Sequence, residues 1–227
     1  MTGRDIKIGD YVEYIPDLEK CVVHSSYSGH KEDQFFFPSR TKLWRVFELG
    51  EEVKLVPVKS VGSLTLHGFE GYDHAEDLLN YISQAYVNVR YATRGRSLGS
   101  QKEPIPVSRF ITVCVGEKKK AEKSFDGFDP KDVDRLNEYG LMPKKGSLWL
   151  AVKFRYLDLD EGEEYCNCHF VNCSEGDIGG ACLQYLHCDE YRKTYRQVKG
   201  VFPIVYLRPE VRFEGKGTIR SPYKIVI

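Results

Sequence analysis

At 227 residues the chain can bury a proper core without disulfide or metal staples, as one large domain or two small ones. Its 41% hydrophobic and 29% charged residues are ordinary globular composition. The 33 basic residues are balanced by 33 acidic ones, which argues against a broad nucleic-acid or anionic-membrane surface.

The one basic cluster, Lys118-Lys119-Lys120 with Lys123, reads as a solvated loop. The opening Met-Thr-Gly-Arg-Asp-Ile-Lys has no apolar core of signal-peptide length, and no apolar run approaches a membrane span. The expectation is a soluble protein without a signal peptide, cytoplasmic or virion-associated. Seven cysteines cannot all pair within the chain, so reduced thiols are the default.

In chain order, Gly9-Asp10 and Pro16-Asp17 bound the alternating run Tyr11–Ile15, which predicts a strand. Residues 24–42 read as a loop, with Phe35-Phe36-Phe37 packed as a lid because three exposed Phe would be costly. Residues 43–49 and 53–58 predict a hairpin across Gly50-Glu51-Glu52. Asp73 opens the clearest helix, near 73–87, with Glu76 completing a capping box and Ala75, Leu78, Leu79, Ile82 and Tyr86 on its buried face. Arg109–Val115 predicts a strand, and residues 116–128 a disordered excursion. A second helix, near 129–139, takes Asp129 as cap, Pro130 at its first position, Val133, Leu136 and Tyr139 inward, and Gly140 as its stop.

Short strands come next at 147–154, 165–172, 181–187, 201–207 and 223–227, separated by glycines. The fold class is α+β, a single domain. Residues 1–146 form a scaffold with two helices, and 147–227 a loop-rich antiparallel β region.

The densest chemistry begins at Tyr165-Cys166-Asn167-Cys168-His169-Phe170-Val171-Asn172-Cys173-Ser174 and continues to Cys188. As a metal site, Cys166, Cys168, His169, Cys173, Cys182, His187 and Cys188 form the pool of ligands. Zinc knuckles place two residues between paired cysteines. Cys166 and Cys168 have one between them, Cys168 and Cys173 four, and no clean pair-plus-pair exists. As a strand, the segment would place Tyr165, Asn167, His169 and Val171 on an outer face, with Cys166, Cys168 and Phe170 inward. A plain β region whose free cysteines are small hydrophobes is the third reading.

Catalytic signals are thin. Cys188 lies beside His187 and Asp189, but adjacent strand residues face opposite ways, so His187 is poorly placed as its base. Asp158, Asp160, Glu161, Glu163 and Glu164 form an acidic loop that calcium could use, although EF-hand spacing is absent.

Several segments in order resemble a family of uncharacterised domains from gut Firmicutes, their phages and mobile elements. They are Ile8–Val12, Trp44-Arg45-Val46, Gly68 with Gly71-Tyr72, Leu78-Leu79-Asn80, Arg96-Ser97-Leu98, Trp149-Leu150-Ala151, Gly200–Leu207, Gly215–Thr218 and Ser221-Pro222-Tyr223. The family is similar to C-type-lectin-like and formylglycine-generating-enzyme-like folds. That group includes the variable proteins of diversity-generating retroelements, whose variable segment corresponds here to residues 155–199. Two departures stand out: Gly99–Pro104 replaces a polar helix, and Phe202 stands where the family has arginine.

Adenine-directed mutagenesis of Asn-type codons reaches Tyr, Cys, Asn, His, Phe, Val and Ser but never Lys, Glu, Gln, Met or Trp. Every residue from Tyr165 to Ser174 belongs to the reachable set, whereas Glu175, Gln184, Glu190, Lys193 and Gln197 would be fixed. The resemblance thus implies a non-enzymatic recognition protein with a variable surface. Tyr165, Asn167, His169, Asn172, Tyr185, His187, Asp189 and Tyr191 are its candidate contact residues, because tyrosine and asparagine give adaptable contacts at low entropic cost. Its partner would be a protein or glycan on a host cell, without nucleic acid, membrane insertion or cofactor, and with homo-oligomerisation open. The alternatives are a cysteine-based metalloprotein or formylglycine-generating-like enzyme, and an intracellular host-protein-binding factor.

Overall fold

Apolar alternation between turn formers gives the first elements. In the computed structural model, which describes residues 6–17, 41–65, 72–102, 105–106, 130–158, 163–182 and 198–227, the strand after Gly9-Asp10 is β1 (Tyr11–Glu13). The expected hairpin is present as β2 (Leu43–Glu48) and β3 (Lys54–Pro57), paired antiparallel from Trp44↔Pro57 to Glu48↔Lys54. Then come β4 (Ser63–Thr65), α1 (Tyr72–Ala85), β5 (Ala92–Ser97), β6 (Ile105–Pro106) and α2 (Lys131–Glu138). The C-terminal part holds β7 (Ser147–Asp158), β8 (Glu163–Asn172), β9 (Ile178–Cys182), β10 (Val198–Gly200), β11 (Pro203–Leu207), β12 (Arg212–Glu214) and β13 (Tyr223–Val226). The fold is α+β. The Phe35–Phe37 lid, the 109–115 strand and the 116–128 excursion lie outside the described residues.

The strands form an eight-stranded sheet, ordered β12-β13-β1-β2-β3-β11-β5-β6, and a five-stranded sheet, ordered β4-β10-β7-β8-β9. Both are mixed, which corrects the expectation of an antiparallel C-terminal region: β1 pairs parallel with β13, and β10 parallel with β7. The expected 201–207 strand is present as β11, beginning two residues later, and the residues before it form a crossing. β10 belongs to the smaller sheet, β11 to the larger, and Val201-Phe202 carry the chain between them. Val61 N–H donates to the Val201 carbonyl across this passage, Leu98 N–H to the Phe202 carbonyl at 3.1 Å, and Ala151 N–H to the Leu98 carbonyl at 2.8 Å.

Side-chain alternation then builds two hydrophobic clusters. Val12, Tyr14, Trp44, Leu55, Trp149, Ala151, Val205 and Leu207 pack with Leu78, Leu79 and Ile82 of α1, and with Tyr86 just after it, in the first. Phe47, Val56, Leu148, Leu150, Phe202, Ile204 and Tyr206 pack with Val133 and Leu136 of α2 in the second. Trp149 and Leu150, or Val205 and Ile204, are sequence neighbours that serve opposite clusters, so these strands are buried on both faces.

α1 has the apolar face its spacing predicts, and a second, polar one beside it. Glu76, Asn80 and Gln84, four residues apart along one stripe, are all buried. The Asn80 side-chain oxygen accepts the Ser97 N–H at 2.9 Å, and the Gln84 oxygen accepts the Gly95 N–H at 2.7 Å. Glu76 accepts the Ser100 hydroxyl at 2.9 Å and the Gln101 N–H at 3.2 Å. Glu76 is thus bonded to the loop after β5; the Asp73 side chain of the expected capping box lies outside the described residues.

α2 departs from expectation at both ends. Pro130 occupies the cap position, without a side-chain cap hydrogen bond, and Asp129 lies outside the described residues. Tyr139, expected inward, is 41% exposed; the helix ends at Glu138, and Leu141 supplies the next buried side chain instead. Gly140 does stop the helix, at φ +60°, a conformation that costs an L side chain energy and glycine none. No described helix is long and apolar enough to cross a membrane.

Candidate functional site

The cysteine-rich segment is β8, as its alternation predicts. It pairs antiparallel with β7 from Ser147↔Asn172 to Asp158↔Glu163, and with β9 from Val171↔Ile178 to Asn167↔Cys182. β9 begins at Ile178 rather than at 181, and residues 183–187 of that expected strand lie outside the described residues.

At its C-terminal end β8 is anchored on both faces. Val171 and Cys173 are buried in the second cluster, while Phe170 packs against the first, edge-on to Trp149 with ring centroids 6.4 Å apart. The expected outer face is therefore an inner one at Val171: α2 and the strands beneath it cover that side too. Cys173, which shares the side of Val171, fits the role of small hydrophobe. Burial pushes its thiol up to about 11, so it is no nucleophile at neutral pH.

The candidate contact residues fall into three groups. Tyr165 and Asn167 lie on β8 opposite Tyr156 and Phe154 of β7. His169 is half-buried opposite Gly180; burial holds its pKa below the ordinary value, opposed by a backbone hydrogen bond with Gly179. Tyr185, His187, Asp189 and Tyr191 lie outside the described residues.

Asn172, the eighth candidate, is a turn former. Its N–H donates to the Asp177 carbonyl at 2.8 Å, and its carbonyl accepts the Gly176 N–H at 2.7 Å. Its side-chain amide donates to Glu175 at 2.9 Å while its side-chain oxygen accepts the Ser174 hydroxyl at 3.1 Å. Both side-chain polar atoms are thus engaged in closing the β8–β9 connection.

Two groups beside this segment escaped the sequence reading. Lys199, on β10, lays its ammonium 3.6 Å from the Phe170 ring centroid and 5.4 Å from that of Trp149. Burial lowers its pKa. Gly179 makes the ring position available: a Cβ there would lie 2.6 Å from Phe170 Cζ, so only glycine lets the ring settle on β9. A lysine between Val198 and Gly200 looks like any solvated strand residue, and nothing local marks it.

The other unforeseen group is a charged belt across the larger sheet. Arg96 of β5 makes a bidentate pair with Asp132 of α2, at 2.5 and 2.9 Å, and donates through Nε to the Tyr206 hydroxyl at 2.9 Å. Arg94 pairs with Glu52, Arg135 with Glu48, and Lys54 also reaches Glu48 at 2.9 Å. Lys54 and Arg94 both lie about 5 Å from the Tyr206 ring centroid. Burial disfavours charge on Asp132, but Arg96, the Gly99 N–H and Lys54 together more than offset it and hold its pKa below the ordinary carboxylate value. Burial likewise opposes charge on Arg96, and Asp132 with Tyr206 overcomes it, raising its pKa. Each of these cations has its acid within the belt, so the belt is an internal strut rather than an open site.

Among the described residues no group of three or more His, Cys, Asp or Glu is placed to hold a metal ion. No protein-family model, curated protein or solved structure matches the chain.

Proposed function

We propose that this chain is a non-enzymatic recognition protein, a lectin-like α+β scaffold displaying a variable surface around residues 165–191. It is phage- or mobile-element-encoded and contacts a protein or glycan on a host cell, in keeping with the family its segments resemble. The observation that supports this is the division of labour at the end of β8. Phe170, Val171 and Cys173 anchor the strand in two clusters, and none of them is among the candidate contact residues. Asn172 apart, the end of the strand is then held by side chains other than those proposed to grip a ligand.

Asn172 closes a turn, so a test of the surface leaves it in place. Replacing Tyr165, Asn167, Tyr185, His187, Asp189 and Tyr191 together with alanine or serine is expected to abolish binding of labelled protein to host cells, read by flow cytometry. The melting temperature is expected to move by no more than a few degrees. Unchanged binding, or a collapsed fold, would remove the reading. Elemental analysis of chelator-free protein separates it from the cysteine-based alternative, which requires one zinc per chain.

A further inference from the structure

We infer that His169 is a positioning residue whose protonation unlatches β8 from β9, so that this surface releases its ligand in mildly acidic solution. The inference rests on the recognition reading above. Its basis is where the ring lies. His169 stands between the contact positions Tyr165 and Asn167 and the anchors Phe170, Val171 and Cys173. Strand alternation puts it on the side of Val171, the side that turns inward. The ring is half-buried, and its Nδ1 is shut off from solvent. A hydrogen bond with the Gly179 backbone joins it to β9, where Gly180 is its partner in register.

An imidazolium donates from both nitrogens and needs an acceptor or water at each. Here one nitrogen is closed to water and the surroundings are apolar. Leu148 of β7, Ile178 of β9 and Cys173 share the side of Val171, and Val133 and Leu136 of α2 pack in the same cluster. Cys173 stays neutral throughout, because burial pushes its thiol up to about 11. The charged groups of these elements are turned elsewhere. Asp132 and Arg135 are bound to Arg96 and Glu48, Glu175 accepts from Asn172, and Lys131, Asp134, Glu138 and Asp177 are exposed. Lys153 and Arg155 of β7 are in register with Cys168 and Cys166, on the opposite side of β8, where Lys199 also lies on Phe170. Glu164 falls on that opposite side too, and Asp158 and Glu163 pair at the far end of the hairpin. Burial therefore decides the balance. It disfavours the charged ring, the Gly179 bond offsets only part of this, and the pKa is held below the ordinary 6.5. The neutral ring's contribution is thus fully present above 6.5 and is lost as pH falls through the lower folded value. A ring that takes up a proton must leave its place for water, and its tie to β9 goes with it.

The test follows the protein between about pH 7.5 and about pH 5.5, by flow cytometry of labelled protein on host cells and by melting temperature. Both are expected to fall together and reversibly, binding by about threefold to tenfold. His169→Gln keeps a hydrogen-bonding group but does not titrate. It is expected to bind within about threefold of the parent at the higher pH and to lose the pH dependence of both readouts. His187→Gln should keep that dependence, which separates the two histidines of the surface. In the parent, the assigned His169 ring resonance should titrate below 6.5, a measurement that needs no variant to fold. A dependence that persists in His169→Gln or vanishes in His187→Gln, or a His169 ring that titrates at or above 6.5, would overturn the inference. If the surface substitutions above abolish cell binding while the parent binds equally at both pH values, this inference falls and the recognition reading stands. If those substitutions leave cell binding intact, the recognition reading falls and this inference with it, whatever the ring titration gives.

Discussion

Residue by residue, the segment from Tyr165 to Ser174 mixes side chains that hold the fold with side chains that do not. Cys173 belongs to the first kind. Buried, with its thiol pKa pushed up to about 11, it is expected to resist iodoacetamide at pH 8 in the native protein and to react once denatured, as read by peptide mass spectrometry. Fast native labelling would mean the end of β8 opens. Asn172 is structural as well: its amide makes two hydrogen bonds within the turn. Asn172→Ala is expected to cost about 1 kcal/mol, a drop of about 2–4 °C in melting temperature. In the sequence Asn172 reads as a contact residue because its type suits both tasks, and only the positions of Glu175, Ser174 and Asp177 tell them apart.

Among elements, α2 shows how far local signals reach. Its existence and its stop at Gly140 were legible from Pro130, the spacing of Val133 and Leu136, and the glycine. Its tether was not, because Asp132 finds Arg96 across a gap of 36 residues. The same blindness hid β5. Its Ala-Thr-Arg-Gly-Arg-Ser run has no apolar alternation; it is a strand because it pairs along β11 and with β6, while Glu52 and Asp132 neutralise its arginines and Asn80 and Gln84 of α1 accept its Ser97 and Gly95 N–H groups. Removing one partner of the Arg96–Asp132 pair, whose side chains are 13% and 15% exposed, is expected to cost about 3 kcal/mol. The lowered Asp132 pKa sets the sign of the pH dependence. Its contribution is fully present above the ordinary value of 3.8 and is lost as pH falls through the lower folded value. Denaturant titrations of Asp132→Asn should therefore show a shallower loss of stability below about pH 4 than the parent. An unchanged acid limb would show that the pair is not coupled to folding.

Over the whole molecule, the two clusters share strands rather than meeting at a linker. β11 gives Val205 and Leu207 to one and Ile204 and Tyr206 to the other, and the fully buried Phe202 lies where the chain crosses between sheets. Thermal unfolding followed by far- and near-ultraviolet circular dichroism is expected to give one coincident transition. Phe202→Ala should lower it with a loss of about 3–5 kcal/mol. Separate transitions would show that the clusters unfold independently.

The sequence by itself determined the α+β class, the β2–β3 hairpin, both helices and the strand nature of the cysteine-rich segment, since each depends on side-chain periodicity and turn formers within a dozen residues. The tertiary structure decided which strands run parallel, that β5 is a strand at all, and which face of β8 turns inward at Val171. It also decided that the Lys199 ammonium lies on an aromatic ring. These depend on what distant parts of the chain place opposite each group, because the cost of burying a charge or a strand face is set by the partner it meets rather than by its neighbours in sequence.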